Sequence, residues 1–202
     1  MRNSQKTALI ILALLAALSA RVESAQAGQQ VLVLDPATSK VSFTLPATGH
    51  TVEGALAVKS GRIAFDSTTG AASGEIVIDL ASAGTGNKGR DKTMREEVLE
   101  TGKHPLAVFR AEKIRGTLAP AGPSQVTLDG TLSFHGSDHK MSLPARITNQ
   151  NGSLKAETEL QIPFVEWGLH DPSMLMLRVA KVVTVKVAAR GSLEAAAAAG
   201  GR

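Results

Sequence analysis

With no cysteine in the chain, five histidines are its most versatile chemical groups. His135 and His139 stand four residues apart. On a helix that spacing puts two imidazoles on one face, as zinc sites often require. Here the pair straddles Gly136-Ser137-Asp138, a turn signal that removes the helical geometry. Asp138 is the only further ligand close by. A metal-dependent or other enzyme built on the His135/His139 region is therefore one reading of the chain. His104 precedes Pro105 and reads as a packing or capping residue. His50 follows a turn signal and His170 precedes Asp171-Pro172, so both read as surface histidines. No Gly-x-Ser-x-Gly nucleophile motif occurs.

Residues 84–89, Gly-Thr-Gly-Asn-Lys-Gly, are glycine-rich and lead into a helix. Such a segment can cradle an anion at a helix start. It can equally be a flexible connection, and it lacks the Gly-Lys-Ser/Thr ending of a phosphate loop. Arg90 is the candidate for a charged head group, through charge-assisted hydrogen bonds. The competing role for Arg90 is a network with Asp91 that fixes the loop. Trp167, the single tryptophan, plugs a core or lines a pocket mouth. Met174, Leu175, Met176 and Leu177 form an apolar cluster that suits a loose plug or a binding surface.

The elements that must position these groups are strands. Val126, Leu128, Leu132 and Phe134 alternate with polar residues, as do Met141, Leu143, Ala145 and Ile147. The same holds for Leu154, Ala156, Leu160 and Ile162, for Ile76, Ile78 and Leu80, and for Val41, Phe43 and Leu45. Period two means one dry face and one wet face. Asn151-Gly152 is a strong hairpin signal; Thr48-Gly49 and residues 136–138 are further turns. The spacing predicts strands near 30–34, 39–46, 50–58, 62–66, 74–82, 106–116, 124–135, 139–149, 153–163 and 179–190, with short early ones merging to give eight or nine. One helix is expected over residues 87–102, capped by Asn87 and ended by Gly102 at C′. Met94 and Val98 should face the barrel, with Lys92 and Glu96 in water. Consecutive antiparallel strands with short turns remove their open edges by closing into a barrel.

The compartment is written in the first residues. Arg2 and Lys6 precede an apolar run over residues 8–20, and Ala25-Gln26-Ala27 is a cleavage pattern. Residues 1–27 therefore read as a signal peptide and the mature chain as periplasmic from about Gly28. The apolar run is shorter than the roughly 20 residues a membrane-spanning helix needs. Residues 28–193 suit one domain, and residues 194–202 read as a disordered Ala/Gly tail. The whole chain has 22 Lys/Arg against 18 Asp/Glu, too even a balance to argue for nucleic acid.

Four stretches resemble the YceI-like family of exported lipid-binding proteins. They are Leu34-Asp35-Pro36 with Ser39, Val41 and Phe43; Gly54 with Gly61, Ile63, Phe65 and Asp66; residues 76–82 followed by Thr85-Gly86-Asn87 and Arg90-Asp91; and His104-Pro105 with Val108, Phe109 and Ala111, then Gly130, Leu132, Phe134, His135 and Gly136. The chain departs from the family pattern at Ser137-Asp138-His139-Lys140, at residues 98–102, and at Glu166-Trp167-Gly168-Leu169.

The resemblance implies a mostly β protein: an extended antiparallel eight-stranded lipocalin-like β-barrel with one or two short helices. It also implies an isoprenoid lipid in the lumen, an isoprenoid quinone or a polyprenyl phosphate. The function expected is a non-enzymatic binding or carrier protein without cofactor or metal. Transient membrane contact and a homodimer are compatible with it. The expected lumen lining is Val41 and Phe43, then Ile76, Ile78 and Phe109. Leu128, Leu132 and Phe134 continue it, and Leu143, Ile162 and Trp167 complete it. A ligand-free stress or interaction module, its barrel filled by its own side chains, is a third reading.

Overall fold

The computed structural model describes residues 28–174, 176 and 178–195; the expected leader lies outside them. The strands are β1 (Gln29–Leu34), β2 (Lys40–Ala47), β3 (His50–Asp66), β4 (Ala72–Gly84), β5 (Leu106–Arg115), β6 (Gly122–Phe134), β7 (Ser137–Gln150), β8 (Ser153–Ile162) and β9 (Val183–Ala195). Helix α1 (Lys88–Thr93) runs straight into a π-helical turn, Met94–Val98, between β4 and β5.

Every neighbouring pair is antiparallel, and the sheet closes on itself. Closure depends on how β1 and β2 are used. Both pair with β3 on one side and with β9 on the other. They are two halves of a single stave, broken at residues 35–39. There the Asp35 carboxylate accepts from Ala37 N–H at 3.0 Å and from the Thr38 hydroxyl at 2.7 Å. Nine strands thus make a closed barrel of eight staves, which leaves no sheet edge open.

The expected strands at 50–58 and 62–66 are one strand. Between them the β3–β4 register shifts at Val58/Ser60, so Ser60-Gly61 is carried through by a bulge instead of a turn. A further shift at Ala111/Lys113 in β5 returns Ile114 to the inner face after Ala107, Phe109 and Ala111. Asn151-Gly152 forms the β7–β8 turn with both residues at positive φ, 52° and 86°. The β6–β7 turn is His135-Gly136, at 50° and 79°, since Phe134 pairs directly with Ser137. Ser137 and Asp138 belong to β7 and not to the turn.

Asn87 is the N-cap of α1, its side chain accepting from Arg90 N–H at 3.1 Å. The helical run stops before the expected Gly102. Glu100 takes the left-handed conformation, φ 45°, and Thr101 N–H reaches back to the Arg95 carbonyl at 2.8 Å. Glu100 is the C′ residue, a position normally given to glycine. Lys92 and Glu96 pair in solvent at 3.9 Å. At the C-terminus, β9 pairs through Glu194 and Ala195 with Val31 and Gln30, two residues into the segment expected as tail; residues 196–202 lie outside the described residues.

The topology separates two barrel ends. The β2–β3 turn, α1 with its π-helical turn, the β6–β7 turn and the described residues between β8 and β9 (163–174, 176 and 178–182) gather at one, the helix end. The remaining turns form the far end, where Val126, Ile147 and Leu154 make a compact buried cluster.

Candidate ligand-binding lumen

Alternation along eight staves aims apolar side chains at a common axis, and they do not fill it. A cavity of about 620 Å³ runs through the barrel, within the roughly 300–1,000 Å³ typical of ligand sites. Its wall includes Val41, Phe43, Ile76, Ile78, Phe109, Leu128, Leu132, Phe134, Leu143 and Ile162, all on the stripe expected to face inward. Trp167 is not on that wall. It sits in the segment after β8, stacked on His139 (ring centroids 3.7 Å apart, planes 11° apart) and edge-on to Phe134 at 6.2 Å. Trp167 belongs to a plug at the helix end, because it follows a strand and alternation does not direct it.

Among the described residues, the polar side chains on the cavity wall are His50, Thr85, Arg90, Thr93 and Thr158. Thr158 donates its hydroxyl to the Pro144 carbonyl at 2.7 Å, so its polarity is spent within the wall. The other four lie at the helix end, beside Met94, Pro172, Met174 and Val179. The cavity is therefore amphipathic along its length: a polar mouth and a dry shaft. His50, Thr85 and Thr93 were not expected there. Alternation marks dry faces, and these residues reach the mouth from the first position of β3, a loop and a helix.

The mouth is braced by Thr85. Asp91 accepts from the Thr85 backbone N–H at 2.8 Å and from its hydroxyl at 2.5 Å. Arg90 donates Nε–H to Thr85 Oγ1 at 2.8 Å and Nη2–H to the Thr85 carbonyl at 3.3 Å. The Thr85 hydroxyl, then its N–H, then Arg95 and Arg90 hold the Asp91 carboxyl below its usual range. Arg90 helps fix the loop through Thr85, and its exposed side chain borders the cavity. Arg95 ties the π-helical turn to β4 through the Ala83 carbonyl at 2.8 Å.

The histidines are arranged differently from their spacing. His139 points inward under Trp167, and its Nε2 is buried without a hydrogen-bond partner. Asp138 hydrogen-bonds to Ser133 at 2.5 Å. His135, on its turn, faces Glu100 instead, with Nε2 3.0 Å from Oε2. The His104 ring lies 4.7 Å from the His135 ring. The alternative grouping of His135, His139 and Asp138 does not form, because the turn at His135-Gly136 sends His139 to the barrel interior.

With this geometry in place, comparison with known proteins is decisive for the family. A YceI-like domain profile matches residues 32–190. The chain belongs to the YceI-like family. No curated protein matches it. Among solved structures, a polyisoprenoid-binding domain from Saccharophagus degradans, implicated in plant cell wall breakdown, aligns with TM-score 0.65 at 18% identity, covering 81% of this chain and 98% of that one. Burkholderia cenocepacia BcnA aligns with TM-score 0.62 at 22% identity, covering 78% and 98%. A Campylobacter jejuni YCEI protein aligns with TM-score 0.55 at 18% identity, covering 70% and 84%. At such identities the likeness is one of fold. The YceI-like barrel of this chain carries its own lumen chemistry, read from its own side chains.

Proposed function

We propose that this YceI-like protein is a periplasmic carrier that holds a long isoprenoid lipid in its lumen, with an isoprenoid quinone or polyprenyl phosphate as the ligand class. The single observation behind this is the amphipathic cavity: about 620 Å³, apolar along the shaft and polar only at the helix end. An apolar cavity offers water few of the partners it needs, so its natural occupant is hydrocarbon. At roughly 0.8 kcal/mol per buried CH₂, about fifteen carbons give on the order of 12 kcal/mol gross. Immobilisation of the chain removes much of it, which still leaves useful affinity. The name of the Saccharophagus degradans relative points the same way. The leader read in residues 1–27 supports the compartment.

Arg90 is placed to meet an anionic or carbonyl head group at the mouth. Met174, 72% exposed, lines the cavity at the mouth; Met176, 92% exposed, follows it in the chain with Arg178 and Lys181 close in sequence. Apolar side chains flanked by cations suit brief contact with a membrane surface, where a lipid would be taken up or released. The cavity also weighs against the self-filled module.

Solvent extraction and mass spectrometry of the protein purified from an isoprenoid-producing host test the proposal. The expected result is an isoprenoid near one per chain. Recovery of no lipid, together with no uptake of ubiquinone or undecaprenyl phosphate by the delipidated protein, would overturn it.

A further inference from the structure

Three of the described non-glycine residues have positive φ: Glu100, His135 and Asn151. Asn151 is accounted for by its Asn-Gly turn. The other two converge on one another and on His104. Backbone conformations of this kind cost energy and persist where the surroundings over-determine them, often at functional sites.

The convergence is built from three local devices. The π-helical turn ends so that Glu100 projects back towards the β6–β7 turn. The Glu100 carbonyl accepts from both Lys103 N–H (2.8 Å) and His104 N–H (2.9 Å), which brings His104 round beside Glu100. His135 holds the first position of a two-residue turn, and Gly136 follows it. A Cβ at Gly136 would lie 3.1 Å from His104 Cε1, so the turn glycine gives the His104 ring its space. One ligand atom from each of Glu100, His104 and His135 lies within 4.8 Å of the other two, and all three residues are half-buried.

We propose that Glu100, His104 and His135 bind a single divalent transition-metal ion, with zinc the best match. Two imidazoles and one carboxylate are donors that zinc accepts, leaving a fourth position for water. Calcium and magnesium prefer oxygen-rich sets. Tetrahedral zinc with bonds of about 2.0–2.1 Å brings ligand atoms to roughly 3.3 Å from one another. The Glu100–His135 pair, at 3.0 Å, is already there, and the His104 ligand atom lies within 4.8 Å of both. Glu100 uses Oε2 for His135, while Lys103 Nζ bonds Oε1 at 2.6 Å. The ion therefore enters without displacing Lys103, which stays behind the carboxylate as an outer partner. The site is separate from the lumen mouth at Arg90 and does not depend on what the lumen holds.

The test uses the whole exported protein, purified without a polyhistidine tag and stripped with EDTA. Zinc chloride is titrated calorimetrically, and histidine ring nitrogens are followed by NMR. One zinc per chain is expected, with shifts at His104 and His135 and none at His50, His139 or His170. His104→Gln and His135→Gln should each weaken binding at least about tenfold, while His50→Gln leaves it unchanged. Absence of saturable binding at near-millimolar zinc overturns the proposal. So do ring shifts centred on His50 or His170, or calcium binding as tight as zinc. The NMR result on the unsubstituted protein decides the matter even if a variant fails to fold.

Discussion

Phe43 lies across the backbone of Gly54, its partner on the neighbouring strand: a Cβ at position 54 would meet Phe43 Cζ at 2.3 Å. The glycine is the seat that lets this ring lie flat in the lumen wall. Gly54→Ala should therefore lift Phe43 into the cavity and also press on the Gly84 carbonyl, 2.7 Å from the same point. We expect a loss of about 1–3 kcal/mol in stability by urea unfolding, the range for overpacking. Adding Phe43→Leu should recover part of it. Additive losses in the double variant would show that the two residues are not coupled.

Leu143 faces the lumen midway along β7. Leu143→Trp fills space that a ligand would occupy and has room to do so, so stability should change by less than about 1.5 kcal/mol. Lipid recovered per chain should fall several-fold. Unchanged recovery from a folded Leu143→Trp protein would place the lipid elsewhere.

Asp129 accepts both Arg115 Nε–H and Nη2–H, at 2.6 and 2.7 Å, and the Ser142 hydroxyl at 2.6 Å. Arg115 first and Ser142 second pull its carboxyl down to about 2. An unfolded Asp titrates near 3.9, so below that pH the unfolded chain binds more protons than the folded one. The stabilising contribution is complete above about pH 4 and is lost as pH falls towards 2. The urea midpoint measured against pH should fall through that window, and Asp129→Asn should flatten the fall. An identical acid limb in the variant would assign the effect to other carboxyls.

His139 stacks on Trp167 while its Nε2 is buried without a partner. A buried polar atom in that state costs stability. His139→Phe keeps a flat ring against the tryptophan and removes the orphan nitrogen. A gain of about 1 kcal/mol in thermal or urea unfolding is expected. A clear loss would mean that the nitrogen has a partner in solution.

The lumen was legible in the sequence because alternation on a strand fixes which side chains share a face, and closure turns that face inward. Val41, Phe43, Ile76 and Leu128 needed nothing more. For Trp167 the periodicity could not choose between a core plug and the lumen lining, because the residue lies past the end of β8, where no period constrains it; it is a plug. The bulge at Ser60 hid the continuity of β3, since Ser60-Gly61 looks like a turn until its pairing with β4 is seen. The Glu100–His104–His135 cluster was out of reach for another reason. Its members meet only because a helical run stops at Glu100 and a turn begins at His135, one residue earlier than the Gly136-Ser137-Asp138 signal suggested. That single-residue difference sends His139 inward and leaves His135 at the rim.

The divided stave has a bearing on how the protein comes to exist at all. β1 and β2 find one neighbour at once, in β3, but their other neighbour is β9, so that Gln30 waits for Ala195. These are the pairings of greatest sequence separation, and contacts of that kind dominate the folding time of β proteins. A chain emerging from its N-terminus would form the meander from the β1/β2 stave to β8, with the outer edges of that stave and of β8 still bare. Only arrival of the last strand seals it, and only then does the shaft become an enclosed space. A barrel built this way can enclose a ligand only once β9 is in place, and its most aggregation-prone moment is the interval just before the seam shuts.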